Sequence, residues 1–182
     1  KGRPTFNPLI IHFSSVEEAL RHVVASSLCE RIMANFCPGS LSLVLPGNKN
    51  SRISAFATAG LDSIAVRVPQ SKEARKFISE CAVPIAAPSA NPSGYVSPTS
   101  ADHVSSHFSD LYILAGSNSE YGLESTIVDL STDIPVILRY GTITAQQLQS
   151  VLPEIIAPDH LKTDAPKAPG MLLKHYAPRC KV

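Results

Sequence analysis

Short apolar runs with prolines or glycines at their ends constrain this chain more than any other feature. Leu41-Ser42-Leu43-Val44-Leu45 lies between Pro38-Gly39 and Pro46-Gly47. Ile64-Ala65-Val66-Arg67-Val68 is closed by Pro69, and Pro84-Ile85-Ala86-Ala87-Pro88 carries a proline at each end. Proline has no backbone N–H, so it bounds strands and loops and is excluded from helix interiors. Runs this short, bounded this way, read as buried strands. Leu9 to Phe13, Leu111 to Leu114, Thr126 to Leu130 and Val136 to Arg139 join the set, and the last two read as a pair joined by the turn Ser131 to Ile134.

Helical spacing fills the intervals. Ser15 with Glu18 reads as a capping box opening one helix through Leu20, Val23, Val24, Leu28, Ile32 and Phe36. Ser71 caps a helix with Ala74, Phe77, Ile78 and Cys81 on its apolar face, and Thr144 caps another through Leu148 and Leu152. A short helix is predicted from Ala101 to Phe108. Interspersed strands and helices predict an α/β fold, and the hairpin-like pair makes its sheet mixed. Residues 157 to 169, with three prolines and mixed charge, read as a linker.

Composition narrows the function. The 182 residues are 44% hydrophobic and 17% charged, with a net charge of +1. A chain like that buries a core, and it lacks the basic excess on which electrostatic binding of nucleic acid or membranes rests. No apolar run approaches the ~18 residues of a membrane span. Cys29, Cys37, Cys81 and Cys180 form no Cys-x-x-Cys pair, so they read as reduced thiols of a cytoplasmic protein.

Two polar loops adjoin predicted strands. In Lys1-Gly2-Arg3-Pro4-Thr5-Phe6-Asn7-Pro8, two cations and an amide suit a phosphate, although a solvated terminus has the same composition. Ala86 to Gly94 leaves a strand into small residues that let a ligand approach the backbone, as an ordinary Pro/Ser turn also does. Arg67 within one strand and Arg139 at the end of another either face an anion at the sheet edge or snorkel to solvent. His12 follows an apolar run, where a hydrogen-bonded core histidine is the commoner role. The residues alone give an α/β domain fit for an anionic small molecule and name no reaction.

Taken in order, several segments resemble the YrdC-like family of threonylcarbamoyl-AMP synthases. They are Lys1-Gly2-Arg3-Pro4 with Asn7-Pro8-Leu9, Pro38 to Leu45, Val66-Arg67-Val68-Pro69, Pro84 to Gly94, Glu124 to Asp129, and Ile137-Leu138-Arg139. Gln70-Ser71 and Tyr140 depart from the family pattern. The stretch Ala168 to Pro178 looks like the linker that, in longer members, folds back over the active site through residues such as His175 and Tyr176. The resemblance implies a twisted mixed sheet flanked by helices, with a catalytic domain over 1–156 and a linker over 157–182. It also implies a piece of a longer protein, cut at both ends, that keeps some ATP or AMP affinity and makes little product.

The implied reaction joins L-threonine, bicarbonate and ATP into threonylcarbamoyl-AMP and pyrophosphate, which feeds the tRNA-modification machinery. The resemblance gives Lys1, Arg3, Ser89 and Asn91 catalytic roles, and Arg3, Asn7, Ser63, Ser89, Ser97 and Arg139 contacts to ATP. It gives His12, Arg67, Ala87 and Ser125 to threonine. Mg²⁺ is expected mainly on the phosphates, with no dedicated protein site. The other readings are a double-stranded RNA- or tRNA-binding module, made weak by the net charge, and the related domain of hydrogenase-maturation carbamoyltransferases.

Overall fold

The structure, a computed structural model, describes residues 2, 4–114, 116–157, 166–169 and 171. Six strands build one sheet: β1 (Ile10–His12), β2 (Leu41–Pro46), β3 (Ser63–Arg67), β4 (Ile85–Ala86), β5 (Thr126–Asp129) and β6 (Val136–Arg139). Their spatial order is β4-β1-β3-β2-β5-β6. β1 is parallel to β3 and β2 to β5; the other three pairings are antiparallel. The sheet is therefore mixed, as the sequence predicts, and β5–β6 is the expected hairpin.

Alternation along the strands sends residues to two unlike faces. Ile11, Leu41, Leu43, Leu45, Ile64 and Val66 pack into the main core. That core is covered by α1 (Val16–Leu20), α2 (Ser27–Phe36) and α5 (Ala145–Gln149), which contribute Ala19, Ile32 and Leu148, each at 0% exposure. Each helix begins on a hydroxyl: Ser15, Ser26 and Thr144 accept a bond from the backbone N–H three residues on. The opposite face carries a smaller apolar cluster of Ile10, Val44, Ala65, Ile127 and Leu138, closed by Ala168. Residues read as linker thus lie against the sheet, and Lys167 Nζ donates to Asp129 Oδ2 at 2.9 Å. Two further helices, α3 (Lys72–Cys81) and α4 (Ala101–Ser105), flank the β1–β4 side through the groove they line with Ile85.

Four expectations from sequence need correcting. The long first helix is two. Ser26 restarts the chain as a new N-cap, and the β-branched pair Val23-Val24 leaves the helix, with Val23 bridging Gly47 and Val24 N–H bonding Pro46 O at 2.8 Å. The capping box at Ser15 is half-formed, because Glu18 turns its carboxylate to Ser14 N and Oγ. Residues 111–114 form no strand. All four side chains are exposed, and β4, the edge on the β1 side, is only two residues long, too short to template a partner. For the same reason the expected buried strand at 84–88 is a short edge strand with Ala86 exposed.

Cys29, Cys37 and Cys81 are free thiols. Burial pushes the Cys29 and Cys37 thiols up to about 11, so both stay protonated.

Candidate active site

The second face turns polar at one end of the sheet, and this end forms the site. His12 closes β1 and pairs in register with Arg67 at the end of β3. Ser42, near the start of β2, and Ser125, just before β5, share a hydrogen bond of 2.8 Å between hydroxyls. Arg139 closes β6 opposite Ile127. Simple alternation would put Arg139 on the same face as Ile137, in the main core. A register shift between Ile127 and Val128 makes Leu138 an extra residue, so Ile137 and Arg139 face opposite sides. Bulges re-aim side chains in this way.

His12, Arg67, Ser125 and Arg139 line a cavity of 390 Å³ with the loop that follows β4. The residues expected at threonine, His12, Arg67, Ala87 and Ser125, all reach its wall. Of those expected at ATP, Ser89, Ser97 and Arg139 reach the same wall. Three do not. Ser63 is at the opposite end of β3 from Arg67, some ~13 Å along the strand. Asn7 is buried at 5% exposure in the loop before β1. Asn91 is buried within its own loop, where Nδ2 donates to Pro92 O and Tyr95 O at 2.9 and 2.8 Å. It shapes the segment that carries Ser89 and Ser97. Lys1, Arg3, His175 and Tyr176 lie outside the described residues.

Arg139 is 9% exposed and fully engaged. Nε and Nη2 donate to Ser125 O at 3.1 and 2.9 Å, and Nη2 also donates to Ser125 Oγ at 3.0 Å. Nη1 donates to Glu124 Oε2 and, at 3.4 Å, to Pro169 O. The other carboxylate oxygen of Glu124 accepts from Ser97 Oγ at 2.6 Å. Glu124 is the residue that sequence reasoning left without a role. Its signal was present: a lone acid immediately before the hydroxyl pair Ser125-Thr126, at a strand start.

Charge sets the character of the cavity. Burial, and then the nearby Arg139 cation, lower the pKa of Arg67, with Glu124 opposing. Two guanidinium groups that repel across a part-buried cavity favour an anion between them. Arg67 is tethered through Nε to Gly39 O at 3.4 Å. Burial, and then Arg67, lower the His12 pKa to about 4, so the imidazole is neutral near pH 7. The carbonyls of Ile85 and Ile10 oppose this shift weakly, and among the described residues no group bonds Nδ1 with good geometry. The site can therefore hold an anion between Arg67 and Arg139 and offer neutral imidazole and hydroxyl groups to a polar partner beside it.

The family model of Sua5, YciO and YrdC, described as "Telomere recombination", matches residues 1–141. The chain belongs to the Sua5/YciO/YrdC family. A second model, "Threonylcarbamoyl-AMP synthase, C-terminal domain", matches residues 143–182. A threonylcarbamoyl-AMP synthase of Pyrococcus abyssi is 43% identical over all of this chain and 55% of its own length. One from Bacillus subtilis is 40% identical over 98% of this chain and 53% of its own length. The chain spans about half the length of these curated relatives. The crystal structure of P. abyssi Sua5 complexed with L-threonine superposes with a TM-score of 0.91 at 41% identity, over 98% of this chain and 54% of that one. The Sua5/YciO/YrdC fold is thus the architecture read above.

Proposed function

We propose that this protein is an L-threonylcarbamoyladenylate synthase, forming threonylcarbamoyl-AMP and pyrophosphate from L-threonine, bicarbonate and ATP. One observation carries the reading: Arg67 and Arg139 face one cavity at the polar end of a sheet shared with a relative whose structure is complexed with L-threonine. The synthase names of the relatives favour this over an RNA-binding module.

The chemistry needs no protein nucleophile. Bicarbonate splits into CO₂ and hydroxide, the neutral amine of threonine captures the CO₂ to give a carbamate, and the proton the amine loses turns the hydroxide into water. A carbamate oxygen then attacks the α-phosphorus. An O–P bond forms, the bond to the β-phosphate bridging oxygen breaks, and pyrophosphate leaves with the electron pair. Such a site works by aligning two anions and neutralising charge on the leaving group. Arg67 is assigned to the threonine carboxylate, with His12, Ala87 and Ser125 around the rest of that substrate. Arg139, Ser89 and Ser97 are assigned to phosphates. Lys1, Arg3, Asn7 and Ser63 are assigned to further nucleotide contacts, and Asn91 to holding the Ser89–Ser97 loop. Mg²⁺ is proposed as the companion of ATP, neutralising phosphate charge. Among the described residues on the cavity wall Glu124 is the one carboxylate, and it is paired with Arg139, so the ion would be held through phosphate oxygens. A cytoplasmic location, close to the tRNA-modification machinery, follows from this reading.

The test is threonine-dependent pyrophosphate release. Addition of threonine and bicarbonate to the full-length protein and ATP should raise release. Arg139→Ala should lower it by about 10²–10³, the usual loss when a charge-assisted contact to a developing charge is removed. Release that ignores threonine, or survives Arg139→Ala unchanged, would remove the assignment.

A further inference from the structure

The five N–H donors of Arg139 divide into two sets. Those on Nε and Nη2 hold Ser125, fixing the guanidinium to the sheet. Those on Nη1 go to Glu124 and to Pro169 O. With all five engaged, any anion that takes Nη1 must first displace an acceptor. Glu124 is the charged acceptor there, and its second oxygen holds Ser97. One carboxylate thus bridges a guanidinium on β6 and a hydroxyl on the loop after β4. A phosphoryl group, with pairs of anionic oxygens at similar spacing, makes the same bridge.

The backbone at Glu124 is packed tightly, and its side chain, 19% exposed, meets solvent. A Cβ at Gly141 would come within 2.3 Å of Glu124 O, 2.4 Å of Thr126 N and 2.6 Å of Ser125 C, so the backbone around Glu124 is packed tightly. Beside it on the same cavity wall, Tyr121 and Leu123 are 51% and 67% exposed, so solvent reaches this stretch of the wall. With Glu124 inward, the charged groups on the described wall are two arginines and one carboxylate. With it outward, both arginines face the ligand uncompensated.

We propose that Glu124 is a specificity-determining residue, a placeholder carboxylate on Arg139 and Ser97 that a polyphosphate displaces and a singly charged anion does not. The inference rests on the nucleotide reading of the site given above. The bridge has to be replaced at both ends together, and a doubly or triply charged group gains enough from Arg139 and Ser97 to expel a like charge. Threonine, carrying one carboxylate, is thereby kept off Arg139 and directed to Arg67. In this way the two substrates are sorted between two cations on one wall.

Calorimetry with inorganic triphosphate, with acetate as the singly charged probe, tests this. Glu124→Gln and Glu124→Ala, checked for native melting, should bind triphosphate roughly tenfold or more tightly than wild type, because no like charge has to leave. Both should also let acetate compete with triphosphate, whereas wild type resists acetate. Triphosphate affinity that is unchanged or weaker in the folded variants would make Glu124 a prop for Arg139 and overturn the placeholder. Acetate competition in wild type would overturn it without any variant. If wild type and variants alike fail to bind triphosphate, the nucleotide reading of the site falls, and the placeholder falls with it.

Discussion

His12 shows how one residue couples the site to stability. Its imidazole lies between β4 and Arg67 at the end of β1, where burial, and then the arginine, depress its pKa from 6.5 to about 4. Between these values the unfolded chain binds a proton that the folded chain refuses, so stability rises with pH across that window. The contribution is complete above pH 6.5 and is lost as pH falls toward 4, by up to ~3 kcal/mol. Urea unfolding between pH 7 and 4 should show this slope. His12→Gln, which has no proton to gain, should flatten it, and an equal slope in the variant would place the acid sensitivity elsewhere. Neutral His12 also leaves Arg67 as the cation at its side of the cavity, which is what a substrate carboxylate requires. That neutrality was not legible in the sequence. A histidine after three apolar residues is compatible with several roles, and its burial, with the arginine at the paired position on β3, decides among them.

Elements were readable to the extent that their signals were local. The runs at 41–45 and 64–68 became β2 and β3 to within a residue, because the prolines and glycines at their ends act within one or two positions. Caps at Ser71, Ser100 and Thr144 are where hydroxyls precede helical spacing. Failures arose where a distant partner decides. Val23 and Val24 suit a helix until β2 offers Gly47 and Pro46 O. Leu111 to Leu114 suit a strand until no sheet edge takes them. The bulge in β6 is the sharpest case, since no local signal marks Leu138 as the extra residue, yet it delivers Arg139 to the site. Gly141, two residues beyond, belongs to the same device. Its missing Cβ lets the turn after β6 lie directly on the backbone of residues 124–126. Thr126 then clamps that turn, its Oγ1 donating to Ile143 O at 2.7 Å and accepting from Ile143 N at 3.1 Å. Gly141→Ala should therefore force rigid backbone apart, costing at least ~1–3 kcal/mol as overpacking does. A lowered melting temperature together with weakened triphosphate binding is expected, because Ser125 O and Oγ hold Arg139. Wild-type melting in the variant would show that the turn has slack.

At the scale of the whole molecule, the sheet is covered unequally. Three helices bury one face, while the other carries a small apolar patch under residues 166–169 and Met171, and beside it the cavity. Ala168 is 0% exposed over Ile10, Val44, Ala65, Ile127 and Leu138, and the next residue, Pro169, lends its carbonyl to Arg139. One short segment therefore seals the thin face and completes the wall of the site. The Lys167–Asp129 pair is the smaller part of its hold. Lys167 is 41% exposed, and Ser131 N and Oγ, at 2.8 and 2.6 Å, keep Oδ1 of the 3%-exposed Asp129 satisfied without it, so only Oδ2 depends on the lysine. Docking must come chiefly from the apolar contact at Ala168. Ala168→Asp would set an unpaired carboxylate among aliphatic side chains, which costs several kcal/mol, so the segment should undock rather than bury the charge. The loss of stability is then limited to the docking energy, and the helix-covered face should keep its structure. The expected result is a lower urea midpoint with unchanged far-ultraviolet circular dichroism. Hydrogen exchange should quicken in β1 and β5 while α2 stays protected. Lys167→Ala should lower the midpoint by less than Ala168→Asp does. A large loss in Lys167→Ala with little in Ala168→Asp would reverse the assignment, making the ion pair rather than the alanine the anchor of this face.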